Sequence, residues 1–149
     1  MTENFLLKWN DFHANISSSF GLFRNEEYLH DVTLVTVDRQ QVHAHKLVLS
    51  ACSEYFQDIF RNNKSSNLML CLEGIKRNDL NKFLDYMYLG EVQICQNDLD
   101  RFLTLSKRFK LNGLMTDETK LTKVWQSKDQ FKLLIEGDFK QILVNILRS

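Results

Sequence analysis

The chain has 149 residues, 44% of them hydrophobic and 26% charged, the proportions of an ordinary globular protein long enough to bury a core without a disulfide or metal staple. Its 19 basic and 19 acidic residues cancel, so the basic excess on which phosphate-dominated nucleic-acid binding rests is missing, and little net charge opposes self-association. Three cysteines, Cys52, Cys71 and Cys95, are odd in number and widely spaced, as expected for reduced thiols in a nuclear or cytosolic protein.

The N-terminal stretch MTENFLLKWNDF has no basic region followed by a long apolar run, so it does not read as a secretory signal. No apolar run approaches the ~20 residues that span a membrane, and a soluble intracellular protein is expected. Asn4 to Trp9 (NFLLKW) is a short apolar stretch. Phe12, Ile16, Phe20 and Phe23 follow at spacings that share one helix face, with Asn10 or Asp11 placed to cap that helix. Val32 to Val37 is β-branched and predicts a strand. DRQQ is a turn, and Val42 to His45 completes a hairpin.

Leu47, Val48, Leu49, Ala51 and Cys52 predict a short buried helix, and Ser53 an N-cap for the next one, with Tyr55, Phe56, Ile59 and Phe60 inside it. Asn62 to Asn67 is a loop. Leu68 to Leu72 (LMLCL) is an apolar run of strand length, read as a buried strand. Asp79 to Leu89 carries Leu80, Phe83, Leu84, Met87 and Tyr88 at helical spacing, and Gly90 is placed to end that helix in a left-handed turn. Glu91 to Ile94 predicts a short strand. Asn97 or Asp98 is placed to cap a helix bearing Leu99, Phe102, Leu103, Leu105 and Phe109, with a last turn over Leu111 to Met115. Strands and paired helices interspersed in this way predict a small α+β domain and not a doubly wound sheet.

Several of these segments, in this order, resemble one family. Asp31 to Phe60 (DVTLVTVDRQQVHAHKLVLSACSEYFQDIF), Phe83 to Ile94 (FLDYMYLGEVQI) and Leu105 to Leu114 (LSKRFKLNGL) resemble the BTB/POZ domain. Phe5 to Phe20 (FLLKWNDFHANISSSF), an apolar strand ending in Trp-Asn before the first helix, resembles the tramtrack/bric-a-brac group of insect transcription regulators. The resemblance implies a BTB/POZ fold over 4–115, a small mixed sheet capped by helical hairpins. It implies an obligate dimer with a swapped N-terminal strand and, in this group, dimers joined into larger oligomers. It further implies a nuclear role in transcription or chromatin organisation, with partners that are itself, other BTB proteins and transcription or chromatin cofactors. Many members carry DNA-binding modules further along, which this chain lacks, so no direct nucleic-acid contact is expected, nor a membrane.

The candidate sites follow. Phe5, Leu6, Leu7 and Trp9 read either as a strand tucked onto its own domain or as one that pairs with another chain, since unpaired strand edges are templates for pairing; the resemblance implies the second. Phe12, Ile16, Phe20 and Phe23 on residues 5–24 are core or dimer interface, and obligate interfaces resemble a core cut in half. Asp31 and Lys46 match charged positions near the family's central dimer groove. The residues alone allow an ordinary ion pair, or a capping carboxylate and a solvated ammonium. His43 and His45 would share a strand face, but without a third ligand at suitable spacing the expectation is one exposed and one hydrogen-bonded histidine, and no metal. His13 and His30 stand isolated. Cys52 falls in an apolar helix where a thiolate is disfavoured. With no P-loop, G-x-G-x-x-G, G-x-S-x-G or H-E-x-x-H, neither catalysis nor a cofactor is expected.

Residues 116–149 lie outside the resemblance. Leu121, Val124 and Trp125, then Ile135, Phe139, Ile142 and Ile146 with Leu134, Leu143 and Leu147, read as a helical tail interrupted by Gly137. A helical extension of this kind is what BTB adaptors of the cullin-3 ubiquitin ligase carry, which makes substrate adaptor the alternative function. A third reading is a partner that caps other BTB proteins as heterodimers.

Overall fold

The computed structural model describes residues 2–114 in full, together with the backbone of 120–125 and 131–136. The chain begins with residues 2–9 outside any helix or strand, then α1 (Phe12–Phe23) and a 3-10 turn at Glu27–Leu29. Next come β1 (Val32–Val35), β2 (Gln41–Ala44), α2 (Lys46–Cys52), α3 (Glu54–Asn62), β3 (Leu68–Cys71), α4 (Arg77–Leu89), β4 (Val92–Gln93) and α5 (Gln96–Arg108). Two further strands follow, β5 (Lys120–Trp125) and β6 (Phe131–Glu136). The α+β class is the one expected.

β1 and β2 form the predicted antiparallel hairpin, in register from Val32↔Ala44 to Val35↔Gln41. β3 returns alongside β1 in parallel, with α2 and α3 supplying the long connection that a parallel pair needs. The sheet order β2-β1-β3 leaves β3 at an edge. The strand expected to be buried over Leu68 to Leu72 is therefore half exposed: Met69 and Cys71 face out, and only Leu72, beyond its end, is fully buried. Likewise α2 is not buried throughout. Val48 and Leu49 enter the core while Leu47 and Ala51 face out, because a helix against one surface buries only a stripe.

Helix ends show which capping signals operate. Ser53 caps α3 as predicted, its hydroxyl accepting from the Phe56 N–H at 3.2 Å. Gly90 closes α4 at φ 77°, a left-handed conformation that favours glycine, and its N–H reaches the Tyr86 carbonyl. Asp11 occupies the N-cap position of α1, yet its side chain caps nothing. A side-chain cap needs extended backbone, and Asp11 is left-handed at φ 63°. α5 starts at Gln96, one residue before the caps proposed for it, and no side-chain cap bond holds it. Leu111 does not add a helical turn but pairs with Ser53 in an antiparallel bridge.

Over the two described stretches of the tail, the expected helix is corrected to strand. β6 pairs antiparallel with β4, Val92↔Leu133 and Gln93↔Lys132, and with β5, Lys120↔Glu136 to Trp125↔Phe131. FKLLIE and KLTKVW also satisfy a two-residue period, and β4 offers the first of them a partner strand. Phe139, Ile142, Leu143, Ile146 and Leu147 lie outside the described residues.

The core runs from Val32 to Leu114 and is built around aromatic rings. Phe83 stacks on Phe102 with centroids 4.8 Å apart, and Phe56 lies parallel to Phe109 at 6.0 Å. Ser53, fully buried, ties this core together. Its hydroxyl donates to the Phe109 carbonyl at 2.6 Å while capping α3, and Asn112 donates from its N–H to the Cys52 carbonyl at 2.8 Å. The end of α5 is thereby clamped to the α2–α3 junction. Replacing Ser53→Ala removes the cap and leaves a buried carbonyl unpaired. We expect a loss of roughly 1–3 kcal/mol, read as a lower urea midpoint at unchanged slope. An unmoved midpoint would show that the hydroxyl holds nothing.

Candidate functional site

A single fact sets this region apart: α1 buries none of its residues. Of the predicted stripe, Phe20 is half-buried against the core and Ile16 is partly covered, while Phe12 and Phe23 remain exposed. The stripe is therefore not core of its own domain. Phe5, Leu6, Leu7 and Trp9 are more open still, Leu7 at 91% and Trp9 at 60%, with the Trp9 ring edge-on to Phe12 at 5.2 Å. Among the described residues this segment pairs with no strand. Leu22, Leu29 and Leu47, the last 69% exposed, extend the apolar surface.

α1 is seated through its last turns. At Gly21 a Cβ would meet Leu89 at 3.0 Å, so the absence of a side chain lets α1 approach α4 closely. Arg24 pairs with Asp85 on α4, and its guanidinium lies 5.8 Å from the centroid of the Tyr88 ring. The Arg24 carbonyl accepts from His30 Nε2 at 2.8 Å.

Tyr88 and the histidines form a network that no sequence spacing signals. The buried Tyr88 hydroxyl accepts from the His45 N–H at 3.0 Å and shares a second bond, of 2.6 Å, with His45 Nδ1. The His45 Nε2 is buried without a hydrogen-bond partner. His30, expected to stand alone, stacks on His43 at 5.6 Å and tilts against His45 at 4.9 Å. His43 is exposed and bonded to Thr33 at 3.0 Å, and His45, just beyond the end of β2, is the hydrogen-bonded member of the pair. Burial, together with the nearby His30, holds the His45 pKa below its ordinary value despite Asp31. Burial pushes the Tyr88 phenol up to about 12. His13 contacts only the neighbouring Phe12 ring among the aromatic residues described.

Asp31 and Lys46 are close but are not an ion pair. The Asp31 carboxylate accepts from the Lys46 backbone N–H at 2.7 Å, at the start of α2, where free amides and the helix dipole favour an anion. The Lys46 ammonium turns to the Ser65 carbonyl and lies 5.9 Å from the centroid of the Phe60 ring. Of the two alternatives left open above, the carboxylate cap is what forms. Cys52 is held as a thiol, since burial raises its pKa. Among the described residues no cluster of His, Cys, Asp or Glu is placed to hold a metal ion, and no helix is long and apolar enough to cross a membrane.

An apolar recess of about 210 Å³ lies between α1 and α2, lined by Phe20, Phe23, Leu29, Leu47, Val48 and Tyr88, with Asp31 and His45 at its wall. Its lining is mainly apolar, with one carboxylate, one imidazole and one phenol facing it.

Comparison with known proteins agrees. The family model described as BTB/POZ domain matches residues 20–124. The chain is similar to the longitudinals lacking protein-like of Drosophila melanogaster, 41% identical over 75% of this chain and 87% of that protein. It is also similar to the alpha isoform of the Drosophila melanogaster protein tramtrack, 36% identical over 76% of this chain but only 14% of that protein. The BTB domain of human gigaxonin shares the fold, with a TM-score of 0.64 at 22% identity, over 76% of this chain and 93% of that one.

Tyr88→Phe keeps the ring and removes the hydroxyl, leaving the His45 N–H and Nδ1 unpaired. The expected cost is roughly 1–3 kcal/mol by urea unfolding. A variant as stable as the wild type would mean that the hydroxyl is not holding His45.

Proposed function

Because the chain belongs to the BTB/POZ domain family, a family of protein–protein interaction modules, we propose that it works by homo- and hetero-oligomerisation in transcription regulation or chromatin organisation. The observation that carries this is the surface left open by the fold. Phe5, Leu6, Leu7, Trp9, Phe12 and Phe23 are large, apolar and exposed, all on α1 or on the segment just before it. Covering a fully exposed side chain of this size is worth roughly 1.5–3 kcal/mol, and Phe12 and Phe23, 44% and 40% exposed, return less than half of that each.

In this reading α1 packs against α1 of a second copy, with Phe12, Ile16, Phe20 and Phe23 at the dimer seam. Phe5 to Trp9 supplies a strand to another chain, joining dimers into larger oligomers. Strand addition suits the segment because its backbone groups have no partner strand among the described residues, and alternate side chains then fix its register. Partners are further copies, related BTB domains and the transcription or chromatin proteins they carry, and the location is the nucleus. Asp31, in the wall of the recess between α1 and α2, orients α2 by capping it at the Lys46 N–H, and Lys46 supplies the charge beside it. The BTB unit is taken as 4–115. The adaptor alternative drew on a helical extension, and β5 and β6 stand in the described parts of that segment.

Light scattering coupled to size-exclusion chromatography should find the wild-type chain larger than a dimer, and a chain lacking residues 1–9 reduced to a dimer or less. A plain dimer indifferent to the deletion would remove multimerisation by strand exchange, and a monomer in both would remove self-assembly. Within the dimer, Phe12→Asp with Phe23→Asp should yield monomers while leaving far-ultraviolet circular dichroism unchanged, since neither ring is in the core. Persistence of the dimer would place its seam elsewhere.

A further inference from the structure

The ties that seat α1 on the body converge on one side-chain cluster. Arg24, just past the end of α1, offers its carbonyl to His30 Nε2 and lays its guanidinium over Tyr88, and Tyr88 in turn is bonded twice to His45. His30 bridges the set, touching both His43 and His45. Apart from these, α1 has the Arg24–Asp85 pair, the close approach of Gly21 to Leu89 and the half-buried Phe20. A helix with no fully buried residue depends on such ties more than a core helix does.

We propose that the His30–His43–His45 cluster makes the seating of α1 pH-dependent, so that acidification loosens α1 from the body.

The groups around the cluster decide the direction. From the end of α1 comes the Arg24 cation; from the segment before β1, Glu27, His30 and Asp31; from β2, His43; from α2, Lys46; from α4, Tyr88 and Asp85. Two of the carboxylates are already engaged, Asp31 with the Lys46 N–H and Asp85 with Arg24. A proton added at His45 puts a cation in the wall of the recess that Phe20 and Phe23 of α1 also line, where the His45 Nε2 is buried with no hydrogen-bond partner, and loosening α1 opens that charge to water. Desolvation and the neighbouring His30 outweigh the attraction of Asp31, in keeping with the lowered pKa of His45. A histidine whose pKa is depressed by the fold binds fewer protons folded than unfolded. Its contribution is complete above the ordinary imidazole value of 6.5 and is lost as the pH falls below it. The inference rests on the assembly reading only for its consequence, because the helix that loosens is the one that carries the proposed seam.

The test is hydrogen–deuterium exchange of the full chain between about pH 7.5 and 5.5, corrected for intrinsic exchange. Protection of residues 12–23 should fall severalfold more than that of 77–89, in the direction that a histidine pKa depressed by the fold dictates. In His45→Gln, which keeps an amide in place of the titrating ring, most of that difference should vanish. An equal loss in variant and wild type, or none in the wild type, overturns the proposal. Should the variant fail to fold, histidine titration by NMR in the wild type decides. The α1 amide shifts must follow the midpoint of His45 and not that of exposed His13, and tracking of His13 alone overturns it. Light scattering on the same samples reads assembly separately. A pH-dependent α1 in a chain that stays monomeric upholds the switch and removes the assembly reading.

Discussion

The constraint on which the rest depends is the apolar surface left exposed, among the described residues, on α1 and the segment before it. The core closes without α1: its buried members run from Val32 to Leu114, and the aromatic stack of Phe56, Phe83, Phe102 and Phe109 is filled from α3, α4 and α5. A 12-residue helix bearing Phe12, Ile16, Phe20 and Phe23, preceded by Phe-Leu-Leu-Lys-Trp, therefore lies outside a finished body. Isolated helices of this length are marginal in water, so an exposed one needs tertiary or quaternary contact to persist. α1 has a tertiary seat at its C-terminal end only. The other end, with Asp11 left-handed and making no side-chain cap, has little to hold it within the chain.

The way α1 is seated follows from that asymmetry. Gly21 costs helix stability, on the order of 1 kcal/mol relative to Ala, but it allows close packing on Leu89, and one turn later Arg24 reaches Asp85 and Tyr88. Tyr88 is itself fixed from α4 by burial and by its two bonds to His45. The hairpin, α2 and α4 thus meet at one hydroxyl, and Asp31 reinforces the same corner by capping α2. Rigidity there and openness further out along α1 are two results of one arrangement. It presents an apolar face in a fixed direction at little cost in side-chain freedom.

How far the sequence reveals this depends on the range of the interaction. α4 was legible residue by residue: Leu80, Phe83, Leu84, Met87 and Tyr88 are its buried residues, and Gly90 ends it, because helical period and a left-handed C-cap are local properties. Ser53 was legible as a cap for the same reason, though not as the partner of the Phe109 carbonyl, which is 56 residues away. The LMLCL run misled because an apolar run does not say whether a strand is central or at an edge. The tail misled because Phe131–Glu136 satisfies helical and strand periods alike, and pairing to β4 selects the strand. At the site, the open stripe was legible as a stripe and the question of what covers it was not. Asp31 and Lys46 were legible as neighbours, but not the choice of backbone N–H over ammonium.

The histidines carry the same lesson into function. His43 and His45 are two apart in sequence and suggested a shared strand face, yet β2 stops at Ala44 and His45 faces Tyr88. His30, thirteen residues before His43, becomes the group between them. Proximity of this kind arises from where the hairpin and α4 cross, and no spacing rule encodes it. Its physical content is a buried imidazole nitrogen without a partner, a rare feature in a folded domain because an unpaired buried polar group costs stability. Since His45 also forms part of the wall of the apolar recess between α1 and α2, the unsatisfied group and the uncovered surface occupy the same corner of the molecule. A contact made there by a second chain would meet both at once, gaining area from Phe23 and Leu47 and specificity from the imidazole.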